Sequence, residues 1–107
     1  MWSRIERIVE ASTPCQPECI CLFGSWARGE ADELSDVDLV VIKESALPFF
    51  DRACEVARLL PSNAGGVDLL VYTPQEFRNM LAGGNAFAEM IVEEGCVVYG
   101  RMLEGGS

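Results

Sequence analysis

The decisive stretch of the chain is Cys19-Ile20-Cys21-Leu22-Phe23-Gly24-Ser25-Trp26-Ala27-Arg28-Gly29, followed after five residues by Ser35-Asp36-Val37-Asp38-Leu39-Val40-Val41-Ile42-Lys43. Residues 18–23 are short, apolar and closed by Gly24, the pattern of a buried strand. Residues 36–43 are dominated by β-branched side chains and read as a second strand. The Gly, Ser, Asp and Glu of residues 24–35 predict a loop, with one helical turn at 25–28.

Acid is expensive inside an apolar strand, so Asp36 and Asp38 call for an explanation. Two residues apart on a strand, they point to one face, about 6.5 Å apart at their α-carbons. Asp68 stands near the start of a third apolar run, residues 67–73, and joins them if the second and third strands are neighbours. Three such carboxylates repel one another unless a divalent cation intervenes, and Mg²⁺ favours carboxylates together with phosphate oxygens. Two ions about 3.5–4 Å apart would suit in-line phosphoryl or nucleotidyl transfer. Gly24-Ser25, directly after a strand, lets a phosphate approach the backbone and adds a hydroxyl donor. Each feature alone also has a plain reading: an ordinary turn for Gly-Ser, a solvated edge strand for Asp-x-Asp.

Outward from this stretch, helices and strands alternate. Residues 1–12 carry Trp2, Ile5, Ile8, Val9 and Ser12 at helical steps, and Pro14 and Pro17 close that helix. Residues 47–60 repeat the pattern with Leu47, Phe50, Cys54, Ala57 and Leu60, and Pro61 with the following Ser-Asn-Ala-Gly-Gly ends it. Thr73, Pro74 and Glu76 spell an N-cap, a first-turn proline and the acid of a capping box, so a third helix is expected to about residue 82. A fourth helix is expected over 85–94, a last strand over 96–99, and a frayed tail over 100–107. The order predicts an α+β fold in two layers: a mixed sheet of about four strands with helices packed mainly on one face. At 107 residues the chain is expected to form one domain, residues 1–107.

Composition excludes several chemistries. There are 17 acidic and 8 basic residues, a net charge of −9, which opposes direct nucleic-acid binding through bulk charge. The absence of His removes Ser-His-Asp and Cys-His catalysis and every His-containing zinc site. No apolar run is long enough to span a bilayer and no signal peptide is visible, so a cytoplasmic location away from membranes is expected. The five cysteines, odd in number and without a secretory signal, are expected to be free thiols, and C-x3-C-x-C at 15, 19 and 21 is not a zinc spacing.

Taken together, Gly24-Ser25, ten intervening residues and Asp36-x-Asp38 resemble the signature of the polymerase-β-like nucleotidyltransferase superfamily. The longer string from Gly24 to Gly29 and from Ser35 to Leu39 is similar to its minimal nucleotidyltransferase branch, and Val67-Asp68-Leu69 matches that branch's third-strand acid. The resemblance implies that Gly24 and Ser25 hold the triphosphate of ATP. It implies that Asp36 and Asp38 bind two Mg²⁺ ions, and that Asp68 assists one of them and helps deprotonate the attacking hydroxyl. It also implies an antitoxin-type partner of an all-helical HEPN protein, which transfers AMP to a tyrosine of that toxin. Trp26 departs from the commoner polar or Tyr residue at its position, and packing is the expected role. Arg28 is read either as a phosphate ligand or as a salt-bridge partner of Glu30, Asp32 or Glu33. Those three acids are expected to form a solvated loop, and Lys43 to be solvated at a strand end.

Two further readings stay open. The chain could be a binding module, non-catalytic or nucleotide-sensing, that neutralises a helical partner by complex formation. It could instead transfer nucleotides to a small molecule or an RNA end. Phe77, Met80, Phe87 and Met90 could dock a partner, though core packing is the expected use.

Overall fold

The computed structural model describes residues 3–32, 35–61 and 65–102. Trp2, Glu33 and the end of the tail, which the sequence reading singled out, lie outside the described residues. The elements are α1 (Ser3–Ser12), a 3₁₀ turn (Thr13–Cys15), β1 (Cys19–Phe23), β2 (Val37–Ile42), α2 (Phe49–Ala57), β3 (Val67–Tyr72), α3 (Pro74–Ala82), α4 (Ala86–Glu94) and β4 (Cys96–Gly100).

Local chemistry sets most boundaries. Pro48 stands at the N-cap of α2, so this helix begins at Phe49 rather than at residue 47; a proline is tolerated at a helix start but not in its interior. The capping box at α3 is complete: Thr73 accepts from the Glu76 amide, and the Glu76 side chain accepts from the Thr73 amide. Asn85 caps α4 by accepting from the Ala88 amide. A side-chain cap of this kind contributes about 1 kcal/mol.

The four strands form one mixed sheet in the order β3-β2-β1-β4. β1 runs antiparallel to both β2 and β4, while β2 and β3 are parallel and joined through α2. The helices do not gather mainly on one face as the sequence reading expected. Ile5 and Ile8 of α1 and Val56 of α2 pack with Ile20, Leu22, Leu39, Val41 and Val71. Phe77 of α3 and Ala88 and Ile91 of α4 pack with Cys19, Cys21, Val40 and Ile42. Strand alternation puts these two sets on opposite faces, so the fold has three layers. The physical reason is that β1 and most of β2 are apolar at both parities, and such strands need cover on both sides. Each fully buried Ile or Leu contributes roughly 1.5–3 kcal/mol to this packing.

Among the described residues no helix is long and apolar enough to cross a membrane. Lys43, expected in solvent, is buried and pairs with Glu55 of α2 at 2.7 Å. The five cysteines are free thiols, with Cys19 and Cys21 buried in the sheet. Phe77 is fully buried and Met80, Phe87 and Met90 pack against the same cluster, as core rather than as an open docking face.

Candidate functional site

Topology brings the chemistry-bearing residues to one end of the sheet. Because β1 and β2 are antiparallel, the end of β1 lies beside the start of β2, with Phe23 opposite Asp38. Because β2 and β3 are parallel and in register, Asp38 lies opposite Asp68. The turn after β1 starts at Gly24 and coils once, with the Arg28 amide donating to the Gly24 carbonyl at 3.2 Å and the Glu30 amide to the Ser25 carbonyl at 2.9 Å. This is the helical turn expected at 25–28.

Asp38 and Asp68 face each other across the paired strands, close enough for their carboxyls to interact. Burial pushes the Asp38 carboxyl above the usual carboxylate range, and the nearness and charge of Asp68 and the charge of Asp36 push it the same way, against a small opposing pull from Arg28. Asp36, exposed just before β2, lies over Gly66: a Cβ added at Gly66 would overlap its Oδ1. Gly24 has φ +72°, and a Cβ there would stand 2.5 Å from Asp38 Oδ2. Glycine is therefore required at Gly24 twice, by the backbone conformation and by the neighbouring carboxylate.

The oxygen-only donors, two of them facing each other and mutually repelling, have the chemistry that Mg²⁺ takes, and the missing Cβ of Gly24 leaves room beside them. Asp36 is near enough to act on Asp38 electrostatically. Among the described residues, however, no three His, Cys, Asp or Glu side chains stand as one ready-made ligand group. The structure thus brings together Asp38 and Asp68, with Asp36 beside them rather than convergent with them.

Arg28 is exposed and pairs with Glu30 at 2.6 Å, and the hydrogen bond and charge of Glu30 raise its pKa. The charges of Glu94 and Asp38 also reach it, so it borders the carboxylates. Asp32 forms a local turn with Ser35, whose hydroxyl donates to Asp32 Oδ1 at 3.1 Å and whose amide donates to the Asp32 carbonyl at 3.1 Å. Trp26 is packed, with 8% exposure. Sequence reasoning missed Gly66, hidden in a stretch read as a helix stop, and Arg4, whose partners are main-chain carbonyls.

The family model of polymerase beta nucleotidyltransferases matches residues 4–103. A search of curated proteins finds no match. Among solved structures, the chain is similar to a "putative nucleotidyltransferase" from Sulfolobus solfataricus, with 25% identity and a TM-score of 0.65, over 94% of this chain and 81% of that one. It also shares its fold with a chain from a toxin-antitoxin structure with AMP-PNP, with 19% identity and a TM-score of 0.50, over 92% of this chain and 73% of that one.

Proposed function

The chain belongs to the polymerase beta nucleotidyltransferase family, and from that premise we propose that it transfers AMP from ATP to a hydroxyl of a partner protein, a tyrosine of a HEPN-type toxin, and so acts as an antitoxin in the cytoplasm. The observation that carries this reading is the register of Asp38 against Asp68, with Gly24 seated on Asp38. Two facing carboxylates beside a glycine turn form a place for a phosphate chain and its cations, and the core needs neither. The choice of donor and of a protein partner is supported by likeness to the toxin-antitoxin neighbour with AMP-PNP. The net charge of −9 favours a protein acceptor over a polynucleotide.

In this reading the acceptor oxygen forms a bond to the α-phosphorus, the bond from that phosphorus to the β-bridging oxygen breaks, and pyrophosphate leaves. The divalent ions, when bound, neutralise the phosphate oxygens and lower the pKa of the attacking hydroxyl. Asp36, Asp38 and Asp68 would hold them. Gly24 admits the triphosphate to the backbone, Ser25 donates its hydroxyl to a phosphate oxygen, and Arg28 exchanges Glu30 for a phosphate oxygen. Asp68 takes the proton of the attacking hydroxyl.

One observation favours a second reading, a non-catalytic or nucleotide-sensing module that neutralises its partner by binding: the three carboxylates do not stand as one ligand group. Incubation with Mg²⁺, ATP labelled at the α-phosphate and the product of the neighbouring gene separates the two. Label on that protein, lost in a folded Asp36→Ala variant, supports transfer. A tight complex without label supports binding alone and overturns the enzymatic reading.

A further inference from the structure

Arg4 reaches the carboxylate end of the sheet from behind. It sits on α1, whose Ile5 and Ile8 pack on the face opposite Asp38 and Asp68. Its Nη1 donates to the Ser35 carbonyl at 2.7 Å and its Nη2 to the Gly66 carbonyl at 3.1 Å. Ser35 immediately precedes Asp36, and Gly66 stands two residues before Asp68. The Gly66 carbonyl also accepts from the Val37 amide at 2.9 Å, so one oxygen ties the starts of β2 and β3 to each other and to α1.

The surroundings are fitted to this guanidinium. It lies over the Trp26 ring, 5.7 Å from the centroid, and Trp26 Nε1 also points to the Ser35 carbonyl at 3.5 Å. Gly65 has φ +81°, and a Cβ there would come within 2.5 Å of Arg4 Nη2. Gly66 gives its own missing Cβ to Asp36. Two adjacent glycines therefore serve the two sides of one device: the first admits the arginine, the second the carboxylate.

We propose that Arg4 is a positioning residue: its two-pronged bond to the Ser35 and Gly66 carbonyls sets how Asp36 lies relative to the Asp38–Asp68 pair, and thereby the affinity of the site for divalent cations. The inference rests on the nucleotidyl-transfer reading. A planar guanidinium can span two carbonyls where the point charge of a lysine holds one. Partners that orient ligand-bearing segments typically change metal affinity about 10- to 100-fold when removed.

The test uses the full chain as Arg4→Gln, Arg4→Lys and Gly65→Ala, with Arg7→Gln, an exposed arginine on the same helix, as control. Three quantities are read: Mn²⁺ binding by water-proton relaxation, the Mg²⁺ concentration for half-maximal transfer, and the melting temperature. Arg4→Gln and Gly65→Ala are expected to weaken Mn²⁺ binding about 10- to 100-fold and to raise the Mg²⁺ midpoint alike. Arg4→Lys falls between, and Arg7→Gln matches wild type. Wild-type Mn²⁺ binding in Arg4→Gln and Gly65→Ala overturns the proposal, even if their melting temperatures fall. If Arg4→Gln does not fold, Arg4→Lys and Gly65→Ala decide. A wild-type chain that binds Mn²⁺ but transfers no nucleotide defeats the functional reading and leaves the binding shifts to judge Arg4; one that binds no Mn²⁺ defeats both.

Discussion

Asp38 and Asp68 stand opposite each other on adjacent parallel strands, and their carboxyls are close enough to interact. Burial and the neighbouring acids hold the Asp38 pKa above its ordinary value. The stability this group contributes is fully present below the unfolded-state pKa and is lost as pH rises through the folded-state value. At neutral pH without divalent cations, ionised Asp38 is therefore a destabilising group.

Asp38→Asn is accordingly expected to raise the melting temperature in EDTA at pH 8, with the gain shrinking as the pH falls toward about 4, the range where an ordinary Asp is protonated. Mg²⁺ should stabilise the wild type and leave the variant unmoved. Transfer should fall by about 100- to 1,000-fold or more. A variant that melts below wild type in EDTA at pH 8 would contradict the electrostatic account. Thermal melts across pH, with and without Mg²⁺, decide it.

Gly24→Ala should damage the site far more than the fold. The added methyl meets Asp38 Oδ2 in a backbone conformation, φ +72°, that alanine adopts poorly. Gly29 is the matched control: its φ is +73°, but a Cβ there meets nothing within 4 Å. Both variants bear the cost of the left-handed backbone, about 1–2 kcal/mol. Only Gly24→Ala is expected to lose transfer, by about 100-fold or more, in line with misplacement at a reacting centre. Equal activities at equal stability would show that the contact with Asp38 is immaterial.

Arg52 ties α2 to the start of α3. Its guanidinium is nearly buried, meets both Glu76 oxygens at 2.6 and 3.1 Å, and also donates to the Leu47 and Val71 carbonyls. The Arg52 hydrogen bond, helped by the Thr73 amide, holds the Glu76 carboxyl below its usual range. The resulting stability is present above the unfolded-state pKa and lost as pH falls through the depressed folded-state value. Glu76→Gln should cost about 1–2 kcal/mol near pH 7, less than a fully buried pair because Glu76 is partly in solvent. The difference from wild type should shrink progressively as the pH falls through and below the ordinary carboxylate range, as denaturant melts across pH would reveal.

Strand periodicity places Asp36 and Asp38 on one face because they are two residues apart; Asp68 joins them only where β2 and β3 are neighbours, which their parallel register makes so. The capping box at Thr73 is legible for the same reason: its partners are three residues apart. Arg4 is not legible, since it binds main-chain carbonyls 31 and 62 residues away, and a carbonyl carries no side-chain signature. Lys43 fails differently. Strand position marks it as terminal, yet Glu55, brought by the crossover helix, pairs with it and covers it, though Glu55 itself stays partly in solvent. The second helical face has no local marker, since an apolar strand does not say which helix covers each side; there Cys19 and Cys21 pack as apolar core with Phe77, Ala88 and Ile91.

That last point has a chemical consequence. Burial pushes the Cys19 thiol up to about 11 and the Cys21 thiol up to about 12, whereas Cys54 is exposed on α2. Alkylation proceeds through the thiolate and needs access, and both conditions fail at Cys19 and Cys21 near pH 8. Iodoacetamide is therefore expected to label Cys54 first in the folded chain, and to reach Cys19 and Cys21 only with denaturant. Since α2 packs on the sheet face opposite Asp38, the chain alkylated at Cys54 should keep its transfer activity and its Mn²⁺ binding. Peptide mapping by mass spectrometry reads the order directly. Early labelling of Cys21 would mean that β1 opens in the native state, and the carboxylate end of the sheet, which β1 and β2 form together, would then be far less rigid than the register of Phe23 against Asp38 implies.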